Sequence, residues 1–264
     1  MRSSVIVLTA LFVLRPAFGQ ANSPVSSAGP TARTIVLRPA AAHAASAKRH
    51  PQVLHTAAGV IDRRLRGIGA ANPVVVVNEA RGTLAVTISG NSSADGLREL
   101  LTRPARLEFR FLPQFGKVWR TAPEVVKGRA TGFEQILGPD GRPVRRSELA
   151  AALSGKAPFT GADLQPTCRA EVLAAPPGSS TRPNVVVHYE FKPNLKARFK
   201  ASTGRHIGQT LAIFLDGRLL LSPQIGEPIE GVGIIRMQWS LRQARDFAAQ
   251  LNSGPLPVPL EVVR

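Results

Sequence analysis

The sequence predicts an α+β fold in which strands and helices are mixed along both halves of the chain. Segments with a two-residue apolar period, typical of half-buried strands, are interspersed with segments whose apolar residues recur every three or four positions, as in amphipathic helices. Hydrophobic residues make up 44% of the 264 residues and charged residues 19%, a composition typical of chains that fold around a core. We therefore expect a globular protein rather than a disordered one.

An apolar N-terminal segment predicts export. Arg2 precedes an apolar run at residues 5–14 that is too short to span a bilayer, and small residues follow at a position suited to cleavage. We predict a signal peptide over residues 1–21, a disordered linker over 22–32, and a periplasmic or cell-envelope location. An N-terminal membrane tether is the alternative if the signal is not cleaved.

The first half of the chain contains, in order, a strand, a helix, two strands, a helix and a strand. The helices show apolar residues at helical spacing, and the last strand alternates apolar with charged residues. This β-α-β-β-α-β order is the split pattern of a ferredoxin-like sandwich, with helices on one face of an antiparallel sheet. We therefore predict a ferredoxin-like subdomain over residues 33–112. The segments that carry the pattern are 34–38, 53–68, 73–77, 83–89, 93–101 and 105–112.

The first long helix is predicted to be amphipathic. Its apolar stripe excludes Arg63, Arg64 and Arg66, which we expect on its other faces. The glycines at 67 and 69 favour a helix C-cap over a dinucleotide-binding loop, because the third glycine of that fingerprint is missing.

The second half contains the clearest local signal in the sequence. Asp216-Gly217 lies between two apolar runs, and this pair supplies the positive φ values that a tight two-residue turn requires. The segment 211–221 is therefore predicted as a β-hairpin. Although Asp216 also invites a catalytic interpretation, an Asp-Gly pair between strands is far more often a turn.

The remaining elements complete a second α+β subdomain, which we assign to residues 113–260. Ser240 and Gln243 form a capping box that opens a helix ended by Gly254, and an extended proline-rich segment follows. Further strands are predicted at 184–191 and 233–239, with a helix from residue 194.

The chain is strongly basic, with 34 Lys plus Arg against 17 Asp plus Glu and a formal net charge of +17. Such a charge usually indicates a nucleic acid or an anionic membrane as partner. Nucleic-acid modules interleave surface aromatic residues with basic ones, whereas aromatics are only 5% here and fall on faces predicted to be buried. We therefore expect no nucleic-acid partner, and an anionic membrane surface or an acidic polypeptide stretch remains a candidate.

No catalytic, cofactor or metal site is predicted. Cys168 is the sole cysteine, so the chain has no Cys/His cluster at zinc-ligand spacing. A Gly-x-Ser-x-Gly nucleophile motif is absent, and sequence spacing places no carboxylate or serine beside His188 or His206. An enzyme would need a pocket that joins one of these histidines to a carboxylate, so we expect a binding module instead.

Several segments resemble, in the same order, the first periplasmic domain of the SecD family, the Sec translocon accessory subunits that also occur fused as SecDF. The segments are 60–69, 105–110, 160–164, 207–217, 222–225 and 251–260, and the C-terminal ones are the most similar. The motif positions within and beside them are Arg64, Gly69, Glu108, Phe109, Gly161, Gly208, Leu211, Asp216, Gly217, Ser222, Pro223, Ile225, Gly254, Pro257 and Pro259.

The resemblance implies a two-part α+β module, with a ferredoxin-like base followed by a head subdomain over residues 113–260. In the family, the head is thought to hold emerging preprotein and to change orientation relative to the base. The motif positions are expected to serve structure or partner binding, and no cofactor is implied. Because the chain ends at Arg264 without ionisable residues in an apolar span, we expect a module without the family's proton-coupled membrane motor.

These features favour an exported, SecD-like periplasmic module that assists protein translocation by binding preprotein or translocon partners. The expected partners are unfolded or emerging polypeptide and Sec translocon subunits. The alternative keeps the fold but changes the role, to a diverged envelope binding module for a protein partner or an anionic membrane surface. Salt-sensitive binding to liposomes would favour the alternative.

Overall fold

The computed structural model of the chain describes residues 32–89, 94–112, 118–174, 184–236 and 239–263. The predicted signal peptide, with its alternative role as a tether, and all but the last residue of the predicted linker lie outside these residues.

The first elements follow the predicted order, with one addition. An alanine-rich segment directly after the first strand forms a short helix of its own, which the sequence did not predict. The elements are β1 (Ala32–Pro39), α1 (Ala41–Arg49), α2 (Gln52–Gly67), β2 (Ala71–Asn78), β3 (Thr83–Ser89), α3 (Ala94–Thr102) and β4 (Leu107–Leu112).

The rest of the chain contains more strands than the sequence predicts. Five strands were not predicted from the sequence, namely β5, β6, β7, β8 and β13, which are between two and nine residues long. The elements are β5 (Arg120–Val126), β6 (Arg129–Leu137), α4 (Arg146–Ala152), β7 (Phe159–Thr160), a 3₁₀ turn (Gly161–Asp163), β8 (Arg169–Leu173), β9 (Asn184–Glu190), α5 (Pro193–Arg205), β10 (Thr210–Leu215), β11 (Arg218–Leu221), β12 (Val232–Arg236), α6 (Leu241–Ser253) and β13 (Leu260–Val262).

The base is an antiparallel four-stranded sheet of order β13-β1-β3-β2. Its core is formed where apolar residues of these strands meet α2 and α3, and it also takes up Leu256 and Val258 from the C-terminal segment. A β-α-β-β-α-β chain with the first and third strands at the centre of the sheet is ferredoxin-like, so the predicted fold class is confirmed.

The strand predicted at 105–112 forms, but it does not belong to the base. β4 pairs with β10 and β7 in a second sheet of order β11-β10-β4-β7. Its assignment as the last base strand is therefore wrong. Alternation of Leu107 and Phe109 with charged residues shows that one face is buried, but it does not show which sheet the strand joins. β13, at the far end of the chain, is the fourth strand of the base instead.

The head is consequently an insertion into the base, between α3 and β13. The chain leaves the base through residues 103–106 and returns through residues 254–259. We propose that the base comprises residues 32–102 and 260–263, in place of the limits 33–112 and 113–260 predicted from the sequence.

Aromatic residues fill the centre of the head. Phe191 stacks on Phe199 with ring centroids 4.2 Å apart, and Phe109 lies 5.1 Å from Phe191. These rings join β4, the residue that follows β9, and α5 in one buried cluster, which also includes Phe159 of β7. The second sheet of the head has three strands in the order β12-β9-β8, and the hairpin β5-β6 completes the head.

Helix α6 connects the two parts. Its Ser240 capping box is present as predicted, and its apolar face packs in the head core. The opposite side contacts α2 so closely that a Cβ atom at Gly67 would lie 3.0 Å from Cβ of Ala249. α6 therefore lies against the base helices on one side and the β12-β9-β8 sheet on the other.

Candidate functional site

Arg64 is the centre of the junction between base and head. It lies on α2 and is fully buried, so the expectation that it occupies an outer face of the helix is wrong. Its guanidinium donates to the carbonyl oxygens of Leu100, Arg103 and Pro104 at 2.7, 2.6 and 2.9 Å. It also reaches Ser253 Oγ at 3.3 Å. One side chain thus joins α2, the outgoing connection and the end of α6.

The guanidinium group of Arg64 is shielded from solvent. Burial lowers the pKa of Arg64 to about 10, and the charge of Asp216 opposes this shift. Carbonyl oxygens satisfy a buried guanidinium without neutralising it, because each provides only a partial negative charge. Arg64 is therefore a buried cation held by backbone dipoles and by one more distant carboxylate.

Asp216 fixes the outgoing connection from the head side. Its carboxylate accepts hydrogen bonds from the backbone N–H of Ala105 at 3.3 Å and of Arg106 at 2.9 Å. Asp216 and Gly217 both have positive φ values, 52° and 77°, as the predicted two-residue hairpin turn requires. The turn between β10 and β11 therefore serves as a docking point, and the catalytic interpretation of Asp216 finds no support.

The two connections are also bound to each other. Leu256 N–H donates to the Pro104 carbonyl at 2.9 Å, and Arg106 donates to the Pro257 carbonyl at 2.9 Å. The carbonyl of Pro259 accepts from Ala40 N–H at 2.9 Å, which fixes the returning chain beside β1. Motif positions Arg64, Asp216, Gly217, Gly254, Pro257 and Pro259 thus meet at this junction.

A second group of motif positions lies where the chain folds back after β11. Leu211 N–H donates to the Pro223 carbonyl at 2.9 Å, and Ile225 exchanges bonds with Gln209 and Gly208 at 2.8 Å. Ser222 Oγ donates to Glu134 Oε2 at 2.6 Å, which connects this segment to the β5-β6 hairpin. Gly208, Leu211, Ser222, Pro223 and Ile225 therefore support the head sheet.

The other motif positions contribute to the packing and ion pairs of the fold. Phe109 is in the aromatic core, and Glu108 on β4 forms an ion pair with Arg110 at 2.9 Å. A Cβ atom at Gly161 would lie 3.2 Å from Cβ of Leu107, so a side chain would press on β4. Gly69 follows the end of α2.

The structure corrects the expectation for His188. Its Nε2 lies 2.7 Å from Glu171 Oε2, because β8 and β9 place both side chains on the same face of their sheet. His188 borders a cavity of about 370 Å³ whose described lining includes Thr167 but neither Glu171 nor any serine or cysteine. His206, by contrast, stacks on Phe111 with ring centroids 4.1 Å apart.

A groove lies between α6, the C-terminal end of α2 and the edge of β8. It has a volume of about 600 Å³. Ala170, Ala248 and Ala249 are buried or half-buried and form its floor, whereas the exposed residues Gly67, Arg169, Arg242 and Arg245 lie at its rim, among other lining residues.

A side chain of α6 marks the start of this edge. Asn252 Oδ1 accepts from Cys168 N–H at 2.8 Å, and Asn252 Nδ2 donates to the Cys168 carbonyl at 2.9 Å, as a neighbouring strand would. Since backbone groups alternate in direction along a strand, Ala170 and Val172 point their N–H and C=O toward the same edge. Within the described residues, no further strand pairs with that edge. Asn252 was not predicted as a site residue, although it lies inside the motif segment 251–260.

Other kinds of site find no support in the described ranges. No three His, Cys, Asp or Glu side chains there are placed to hold a metal ion. In the same part of the chain, no helix combines the length and apolar character needed to cross a membrane.

Comparison with known proteins agrees with this architecture. The family model for the SecDF P1 head subdomain matches residues 152–258. SecDF from Thermus thermophilus is 32% identical over 222 residues, covering 79% of this chain and 27% of that protein. A solved structure of SecDF, described as a membrane component that enhances protein export, has a TM-score of 0.60 at 28% identity and covers 88% of this chain and 98% of the solved chain. This chain is a homologue of the SecDF P1 domain.

A second solved structure supports the same relationship. SecDF in its super-membrane-facing form has a TM-score of 0.62 at 27% identity, and it covers 88% of the P1 homologue but 29% of the solved chain. The P1 homologue thus spans less than a third of these two full-length relatives. The curated relatives SecDF and SecD are themselves named protein translocase subunits.

Proposed function

We propose that this P1 homologue is an accessory domain of protein translocation in the periplasm or cell envelope, and that it binds extended polypeptide at the free edge of β8. The relatives are protein translocase subunits, which supports a role beside the Sec translocon and a binding role rather than a catalytic one.

The observation that carries the proposal is the open β8 edge beside the groove. Asn252 occupies the place of the first residue of an added strand, and Ala170 and Val172 offer the next backbone groups in the same direction. Val172 is 45% exposed, so an incoming chain would meet an apolar side chain as well as backbone donors and acceptors.

Strand addition suits a partner that varies in sequence. Main-chain hydrogen bonds supply the affinity, whereas side chains contribute only at alternate positions. An unfolded or emerging polypeptide has free backbone groups along its length, whereas a folded protein has satisfied most of them. The β8 edge would therefore distinguish extended from folded chains.

A proline substitution at the edge tests the proposal. Val172→Pro removes the outward N–H, a change that edge strands tolerate because no described residue accepts a hydrogen bond from that group. Val172→Ala is the matched control, since it removes the apolar side chain but keeps the N–H. Binding of a fluorescent, permanently unfolded polypeptide to the full chain is measured by anisotropy, with circular dichroism to confirm folding.

We expect Val172→Pro to reduce affinity by about tenfold, as loss of one or two backbone hydrogen bonds implies, and Val172→Ala to reduce it less. Equal affinity for both folded variants would contradict the proposed edge. Binding to anionic liposomes without binding to the unfolded polypeptide would favour the membrane-binding alternative and overturn the proposed function.

A further inference from the structure

The rim of the β8 groove has an excess of positive charge. Arg169 and Arg245 have no carboxylate within ion-pair distance among the described residues, and Arg242 lies 4.0 Å from Asp246. Asp246 is the one acidic residue of the lining. Three guanidinium groups against one carboxylate leave the groove cationic.

The arginines lie on both sides of the edge. Arg242 and Arg245 are on α6, which covers the core-facing side of the β12-β9-β8 sheet. Arg169 is opposite His188 in the strand register and therefore lies on the other side of that sheet. Side chains of an added strand would point alternately to these two sides of the sheet. The side chains on each side would therefore lie near an arginine.

We propose that this groove prefers acidic segments of extended polypeptide, with Asp or Glu side chains directed at Arg242 and Arg245. The proposal rests on the proposed function, because it assigns a substrate class to the same strand-addition edge. The small residues of the floor let a backbone approach closely, and the guanidinium groups offer the paired donors that carboxylates accept.

The charge pattern disfavours two other occupants. Residues 1–31 of this chain contain Arg2 and Arg15 but no Asp or Glu, so this segment has no carboxylate to offer the arginines. A second copy of the chain carries the same net charge of +17, which opposes close approach.

Paired peptides test the proposal on the full chain. One fluorescent peptide alternates threonine with glutamate, and its partner replaces every glutamate with glutamine. Arg245→Glu is the test variant, and Arg142→Glu, whose side chain is 86% exposed on a turn outside the groove, is the matched control.

We expect the glutamate peptide to bind about three- to tenfold more tightly than the glutamine peptide at low salt, and this preference to fall as salt is added. Arg245→Glu should abolish the preference but leave affinity for the glutamine peptide unchanged, whereas Arg142→Glu should retain it.

The two proposals can fail separately. If both peptides bind equally, the acidic preference is wrong while strand addition stands. If neither peptide binds, the proposed function fails as well. If anionic vesicles bind in an Arg245-dependent manner and the glutamate peptide does not, the groove recognises lipid, and the acidic-segment proposal is overturned.

Discussion

At the scale of single residues, Arg64 shows why hydrophobic periodicity can misplace a side chain. Arg64 does not count toward an apolar pattern because it is charged, yet it lies three residues after Ile61 and seven after Ala57, on the buried face of α2. It is completely buried, and its guanidinium is surrounded by carbonyl groups from two distant segments. The resemblance of residues 60–69 to a family motif singled out Arg64, but only the fold shows which groups Arg64 contacts. Periodicity cannot reveal such a role, because the partners are set by tertiary structure.

Replacing Arg64 should destabilise the whole chain. Arg64→Met leaves buried carbonyl groups without donors, so we expect the free energy of unfolding to fall by about 3–5 kcal/mol in urea titrations. Arg63→Met is the control, because Arg63 is exposed and, among the described residues, its guanidinium donates only to the Ser253 carbonyl. We expect a loss of about 1 kcal/mol or less. A cost for Arg64→Met no larger than that of the control would contradict the junction described above.

Cys168 should be nearly inert in the folded protein. Burial raises the pKa of its thiol from 9.0 to about 11, so the thiolate fraction at pH 8 falls about a hundredfold. We expect a disulfide reagent at pH 8 to modify the native chain at least about a hundredfold more slowly than the urea-unfolded chain. An exposed thiol in Cys168→Ser/Ser154→Cys should react rapidly in both states, and equal rates for Cys168 in both states would disprove its burial.

At the scale of elements, the sequence correctly predicts the turns and helix caps that depend only on neighbouring residues. The Asp216-Gly217 turn and the Ser240 capping box form as predicted, because each depends on residues within a few positions. β8 and β13 were missed because they are short, so the alternation of charged with apolar residues in RAEVL and LEV extends over only five and three residues. The Asn252 contact with Cys168 joins residues 84 positions apart, so no local pattern could predict it.

The turn between β10 and β11 provides a backbone test. Gly217 has a φ of 77°, so Gly217→Ala should cost about 1–2 kcal/mol of folding free energy. Gly204→Ala is the matched control, because Gly204 is helical and the new Cβ would make ordinary contact with Pro228 at 3.5 Å. We expect thermal denaturation to show a stability for Gly204→Ala equal to or above that of the original chain. A Gly217→Ala chain as stable as Gly204→Ala would contradict the turn geometry.

At the scale of the whole molecule, the β-α-β-β-α-β pattern predicted the correct fold, but its last strand was assigned to the wrong segment. Residues 107–112 have the alternation of a base strand, but β13 occupies that place and the head is inserted before it. The sequence does not show that β13, rather than residues 107–112, is the fourth strand of the base, because both segments form strands and strand pairing is nonlocal.

The insertion predicts which fragment folds. Residues 33–112 alone lack β13 and carry β4, whose partners β10 and β7 are in the head, so we expect a disordered fragment by circular dichroism and NMR. A polypeptide that joins residues 32–102 to 256–263 through a short flexible linker should instead fold cooperatively. If the 33–112 fragment folds and the joined polypeptide does not, the discontinuous base is wrong.

Site-specific crosslinking in cells tests the central claim, that extended polypeptide binds at the β8 edge, most directly. A photoreactive residue would replace Val172 on the β8 edge strand or, as control, Val125, which is 57% exposed on the β5-β6 hairpin, while export of a tagged secretory chain is arrested. We predict that position 172 crosslinks to the arrested chain and position 125 does not. Crosslinks that are absent at 172, or equally frequent at both positions, would contradict the account.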